Sequence, residues 1–303
     1  IFLITVYFIA GGAGFIGNSV IEKCIKLGHE VVSVDNLITG NIENLKKLGV
    51  KNIEIDITSK EDFNKIIFKP DIVIHLAFPT PLCNRNVENQ FEQVASTGML
   101  NVLEYVKKTC NKIVYGSSIS VYGVPEKLPV MENNIVSPIL IYGANKVLDE
   151  LYIRCYNSQF GIQYNILRVS DTFGEFDKRE NAINNFIKAF INKGKIYVNG
   201  NGEQLRTYTY VRDMAKAFCL ATEKLNNEIY NISSSKHLSI NKLIEILSNL
   251  FNDKREVIYN DNCRDIRNYI ICSDKFCNDF GSFENIGVEK GIENTISYLK
   301  NTL

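Results

Sequence analysis

The sequence has 303 residues, 45% hydrophobic and 22% charged, a balance that supports a buried core and excludes global disorder. Lys+Arg and Asp+Glu are both 34, so the formal net charge is zero and no basic excess points to a nucleic-acid partner.

The first ten residues, IFLITVYFIA, are apolar. They lack the basic start and cleavage site of a secretory leader, and they are too short for a membrane span. Their β-branched and aromatic content predicts a buried parallel strand ending at Ala10. No other run is long enough to cross a bilayer, so no membrane partner is expected. The 8 cysteines are scattered without a CxxC pair. They read as reduced thiols of a cytoplasmic protein, not as disulfides or a zinc site. His29, His75 and His237 read as structural, and no metal is expected.

From Phe15 to Leu27, the residues Ile16, Val20, Ile21, Cys24 and Leu27 share one helical face, with Gly28 as a C-cap. EVVSVD (30–35), NIEID (52–56), DIVIHLA (71–77), KIVYGSS (112–118) and QYNILRV (163–169) are short β-branched runs separated by helical or loop-like sequence. This alternation predicts an α/β, Rossmann-type, doubly wound parallel sheet over residues 1–170. Beyond it, helical patterns at 181–193, 212–225, 239–251 and 284–301 predict a smaller mixed α/β C-terminal substrate domain, 171–303. No repeat or Pro-rich linker intervenes, so a ligand cleft is expected between the two parts.

Gly11-Gly12-Ala13-Gly14-Phe15-Ile16-Gly17 joins the first strand to the first helix. A β-carbon there would block the tight turn and the approach of backbone to a pyrophosphate. The helix N-terminus adds free N–H groups and a positive dipole end. Asp35 ends the second strand and can accept bonds from the adenosine ribose hydroxyls while repelling a 2′-phosphate. NAD is therefore expected as the cofactor. Asp56, which ends NIEID, is a candidate for the adenine side or for a structural role.

Tyr142-Gly-Ala-Asn-Lys146 places a tyrosine and a lysine on one helical face. A nearby ammonium stabilises a phenolate, which suits Tyr142 to proton exchange near neutral pH. Ser118 follows a predicted strand, at the carboxyl end of the sheet, where such folds bind ligands.

With these residues in view, the chain resembles the extended short-chain dehydrogenase/reductase family, in its NAD-dependent nucleotide-sugar epimerase/dehydratase branch. The resemblance spans nearly the whole length. It rests on GGAGFIG, VDNL (34–37), HLA (75–77), SSISVYG (117–123), YGANK (142–146), LRVSDTFG (167–174), NGNGEQLRTYTYVRD (199–213) and GVEKGIENTISYL (287–299). It implies a cofactor site at Gly11, Gly14, Phe15, Ile16 and Gly17, with Asp35, Asn36, Asp56 and Ile57 toward the adenosine. Leu76 and Ala77 join it, and Tyr142 and Lys146 reach its nicotinamide end. The resemblance further implies Tyr142 as acid/base, Lys146 as its partner and Ser118 as a hydroxyl on the reacting sugar oxygen. Asp171, Arg206 and Arg267 fall to the nucleotide-diphosphate sugar, with a UDP-sugar favoured. A homodimer through helices near 88–108 and 144–158 is also implied.

Four positions depart from the family pattern: Ala10, Ala95, Asn145 and Asp171. Asp171 would add a carboxylate beside a diphosphate. Ser118-Ile119-Ser120 stands where the dehydratases of the branch carry Thr-Asp-Glu, which disfavours dehydration, and decarboxylases also carry a Glu at the position of Ser120. An epimerase related to UDP-glucose 4-epimerase is the leading expectation. A 4-dehydrogenase or ketoreductase and a catalytically silent binder remain as alternatives.

Overall fold

The computed structural model describes residues 4–79, 91–260 and 268–302. The first half runs β1 (Val6–Ala10), α1 (Phe15–Lys26), β2 (Glu30–Val34), α2 (Ile42–Lys47), β3 (Asn52–Ile53), α3 (Lys60–Asn64), β4 (Ile72–His75), α4 (Phe91–Gln93), α5 (Met99–Lys108), β5 (Lys112–Ser118), α6 (Ile141–Phe160) and β6 (Gln163–Val169). A single π turn, Val94–Gly98, joins α4 to α5. The second half runs β7 (Asp171–Phe173), α7 (Ala182–Ile191), β8 (Ile196–Asn199), β9 (Leu205–Arg206), β10 (Tyr208–Tyr210), α8 (Val211–Glu223), β11 (Glu228–Ile232), β12 (Leu238–Ser239), α9 (Ile240–Phe251), β13 (Val257–Asn260), α10 (Asp274–Phe280) and α11 (Gly287–Thr302).

One seven-stranded sheet, in the order β11-β6-β5-β4-β1-β2-β3, carries the fold, and every pairing in it is parallel. A Rossmann-type sheet was expected and is found. β1, β4, β5 and β6 are buried on both faces, which is why they read as β-branched runs. β3 pairs over only two residues, shorter than NIEID suggested, because it lies at the sheet edge. One face packs on α1 and α8, where Cys24 and Cys219 meet at 3.7 Å as free thiols. The other packs on α5 and α6.

The chain runs from β1 outward to β3 on one side and from β4 outward on the other. That reversal between β1 and β4 opens a crevice at the carboxyl ends of the strands. α8 and β11 return to the main sheet, so the sheet draws on residues from both sides of position 170. α7, α9 and α11 form a second core around Phe186, Leu243, Leu247 and Ile292, while Phe276 of α10 joins the core of the main sheet. α10 had no counterpart in the sequence reading. No helix among the described residues is long and apolar enough to cross a membrane.

Candidate functional site

Beyond Ala10 the backbone turns at Gly11, with φ +80°, and enters α1 at Phe15. A β-carbon on Gly11 would lie 2.5 Å from the Ala77 nitrogen, and one on Gly17 would lie 2.1 Å from the Gly11 carbonyl oxygen. Only glycine fits either position. Gly14 is the N-cap of α1 and no side chain caps the helix, so its first turn keeps backbone donors for an anion.

Asp35 is buried at the end of β2. Its Oδ2 accepts the Ala13 N–H at 3.1 Å and its Oδ1 accepts the Leu37 N–H at 2.8 Å. Burial pushes its pKa up, and these two bonds oppose the rise. Gly11, Gly14, Asp35, Asn36, Asp56, Ile57, Leu76 and Ala77 line one stretch of the crevice. Phe15, Ile16, Gly17, Ser118, Tyr142 and Lys146 line its continuation past Gly11 and Leu76. Asp56 also accepts from the Thr58 N–H and hydroxyl, so it shapes its own turn. An anion-ready helix end, a ribose acceptor and apolar walls at Val34 and Ile57 fit a dinucleotide.

Ser118 ends β5, accepts the Ser120 N–H at 3.1 Å and donates to the Ser120 hydroxyl at 3.1 Å. Tyr142 enters the crevice from the first turn of α6, with the Phe78 ring set edge-on at 5.4 Å. Burial pushes the Tyr142 phenol up, while the neighbouring Ser118 and the Arg179 guanidinium pull it down. Lys146 lies 5.8 Å from the centre of the Tyr142 ring. Its Nζ donates to the Tyr115 hydroxyl at 3.0 Å and to the Gly116 carbonyl at 2.9 Å. Burial brings the Lys146 ammonium down to about 8, against the fields of Asp149 and Glu150.

A second groove opens beside Ser118 and Tyr142 and is lined by Asp171, Arg179, Arg206 and Tyr208. Parallel pairing of β7 with β10 sets Asp171 against Tyr208. Arg206 sits on β9, with its guanidinium 5.7 Å from the Tyr269 ring centre. Arg179 lines both the crevice and the groove. Asp177 holds it at 2.7 and 2.8 Å, and it lies 4.8 Å from the centre of the Phe15 ring. Its positive field falls on Asp171, which offsets the carboxylate that the sequence adds there. Arg267 lies outside the described residues.

The structure thus brings Ser118, Tyr142, Lys146 and the residues expected to hold the cofactor together along one crevice, with Asp171 and Arg206 leading away from them. Sequence reasoning missed Arg179, Tyr115 and Asp149. Asp149 was findable, because position i+3 shares the face of Lys146. Arg179 carries no local signal. Among the departures, Ala10 and Ala95 are fully buried, and the Nδ2 of Asn145 is buried without a partner.

Residues 7–233 match the model of the NAD dependent epimerase/dehydratase family. A relative from Methanocaldococcus jannaschii, provisionally named UDP-glucose 4-epimerase, is 36% identical over 302 residues, covering 97% of this chain and 98% of its own. The structure of UDP-glucose 4-epimerase with UDP-glucose from Thermotoga maritima superposes with a TM-score of 0.90 at 28% identity, covering 98% of this chain and 99% of the other. UDP-N-acetylglucosamine 4-epimerase from Methanobrevibacter ruminantium, in complex with UDP-N-acetylmuramic acid, also gives 0.90 at 28%, covering 99% of both. The glycine turn, the Ser118–Tyr142–Lys146 group and these likenesses agree: the chain is an enzyme of the NAD-dependent epimerase/dehydratase family, with NAD as its cofactor.

Proposed function

We propose that this enzyme is a nucleotide-sugar 4-epimerase and that it interconverts UDP-glucose and UDP-galactose. The observation that carries the reading is that Ser118, Tyr142 and Lys146 line one stretch of the crevice, with a serine and not a carboxylate at 120. Ile119 packs into a small apolar cluster at the crevice wall and supplies no acid there. Removal of water needs an acid that these positions lack, whereas reversible oxidation of a hydroxyl needs only a group that takes and returns a proton.

Tyr142 takes the proton of the sugar 4-hydroxyl and later returns it to the oxygen on the opposite face. Ser118 donates to the reacting oxygen and orients it. Lys146 and Arg179 keep the surroundings of the phenol positive. Arg206 holds the diphosphate by charge-assisted bonds while the sugar turns. NAD, when bound along the glycine turn, supplies the hydride chemistry at the sugar carbon. The UDP-sugars named for the relatives support the choice of nucleotide.

The test is incubation with UDP-glucose and UDP-galactose separately, without added cofactor, followed by NMR of the sugars. Interconversion with no net change at the reduced-nicotinamide absorbance is the expected result. Stoichiometric NADH with a keto product would replace this reading by a dehydrogenase. Binding without any conversion across a panel of sugar nucleotides would replace it by a silent binder. A homodimer through α5 and α6 belongs to the same reading, supported by exposed Leu151 and Phe160 on α6. Sedimentation of the purified protein as a monomer would overturn that part.

A further inference from the structure

Three and four residues beyond Lys146, Asp149 and Glu150 fall on the lysine's side of α6. Their partners differ. Glu150 is engaged by Arg168, which reaches it at 3.0 and 2.7 Å, and by the Ser117 hydroxyl. Its charge is therefore largely met within its own pair, and its field on Lys146 is weaker than that of Asp149. Asp149 has no cation of its own. Its Oδ2 accepts the Tyr115 hydroxyl, and its Oδ1 is buried with no hydrogen-bond partner. The same Tyr115 oxygen accepts from Lys146 Nζ. Lys146, Tyr115 and Asp149 are 3%, 1% and 1% exposed, so the chain of three groups is buried and meets the crevice only at Lys146.

We propose that Asp149, acting through the Tyr115 hydroxyl, is the buried counter-charge of Lys146 and keeps that lysine charged beside Tyr142. Asp149 is thus a positioning residue that touches neither sugar nor cofactor, and its role rests on the reading of Tyr142 and Lys146 given above. The other groups facing Lys146 leave it this task. From β4, His75 is held neutral by burial, with its pKa pushed down to about 3. The Phe78 ring offers a face at 4.4 Å but no charge. From β5, the Gly116 carbonyl accepts one donor. On α6 itself, Tyr142 is kept neutral by burial. Arg168, on β6, is spent on Glu150. The π turn Val94–Gly98 carries no ionisable side chain, and Glu92 before it is exposed. Burial pushes Asp149 up and brings Lys146 down, and the field of each opposes the shift of the other. An ammonium in a dry site loses its proton more readily once the opposing charge is gone.

The test is a pH titration of Lys146 by NMR in the NAD-bound full-length chain labelled at lysine Cε. Unaltered protein, Asp149→Asn and Tyr115→Phe are compared. Asp149→Asn keeps the shape of the side chain, and Tyr115→Phe keeps the ring but breaks the link. The Lys146 midpoint is expected to fall by about one pH unit or more in Asp149→Asn and in the same direction in Tyr115→Phe. An unmoved midpoint in either folded variant overturns the proposal. The alkaline limb of kcat/KM against pH, measured with UDP-glucose, is expected to move down in step. A uniform loss at every pH with an unmoved limb would assign Asp149 a packing role and also overturn the proposal. The lysine titration needs no turnover, so failure of the substrate assignment and failure of this coupling give different results.

Discussion

The Asp35 carboxylate accepts the Ala13 backbone N–H at 3.1 Å, which ties the end of β2 to the glycine turn. One side chain therefore shapes the loop and lines the crevice, where it is placed to accept from an adenosine ribose. NAD is expected to bind more tightly than NADP, because a 2′-phosphate would meet the carboxylate. Asp35→Ala should weaken NAD on the order of tenfold, through the lost ribose and loop bonds, and narrow the gap to NADP. Calorimetry with both nucleotides checks this. NADP binding as tightly as NAD to the unaltered protein would refute it.

Tyr142→Phe keeps the ring beside Phe78 and removes the titrating hydroxyl. Turnover should fall on the order of a hundredfold or more, with NAD binding nearly unchanged. Steady-state rates and a nucleotide titration on the same preparation separate the two effects. Full activity in the variant would mean that another group moves the proton.

Arg206 lines the groove that leads away from Tyr142, and it does not line the crevice of the glycine turn. Arg206→Ala should weaken UDP on the order of tenfold to a hundredfold while NAD is unaffected. Equal losses for both ligands would show that the substitution disturbs the fold and not one phosphate site.

His75 is buried and neutral, with its pKa pushed down to about 3 by burial and, to a lesser degree, by Lys146. The unfolded chain takes up this proton near pH 6.5, whereas the folded chain resists until about 3. Between those values the unfolded state binds more protons, so stability falls as the pH drops. At pH 5 the cost is about 2 kcal/mol. His75→Gln should lose less thermal stability between pH 7 and pH 5 than the unaltered protein. An identical loss would remove His75 as the cause.

Glu150 and Arg168 form a bidentate pair at the back of the site, with side chains 5% and 4% exposed. Glu150→Ala would leave the guanidinium buried and uncompensated, at a cost of about 3–5 kcal/mol. Denaturant unfolding of the two proteins measures this directly. A loss below about 1 kcal/mol would mean that water or a new partner reaches Arg168.

The strands and the glycine turn were legible because their causes are local. Val6–Ala10, Lys112–Ser118 and Gln163–Val169 are parallel strands covered on both faces, and such burial selects continuous β-branched runs. Gly11 and Gly17 announce themselves because no other residue fits the turn. Tyr142 and Lys146 are one helical turn apart, so their meeting follows from α-helix geometry alone. β3 was overread because the sequence of an edge strand does not state how far its neighbour runs alongside it.

What the tertiary structure alone decided lies between elements distant in the chain. Parallel order sets β5 beside β4 and β6, and α6 then closes over it, which brings Tyr115 to Asp149 across 34 positions and Ser117 to Glu150 across 33. Arg179 reaches the ring of Phe15 only because the C-terminal elements fold back over the start of α1. The return of β11 to the main sheet is of the same kind. A residue's own neighbours determine its backbone conformation and which face it presents. Its charge state and partners depend on which distant groups exclude water from it, and that is a property of packing.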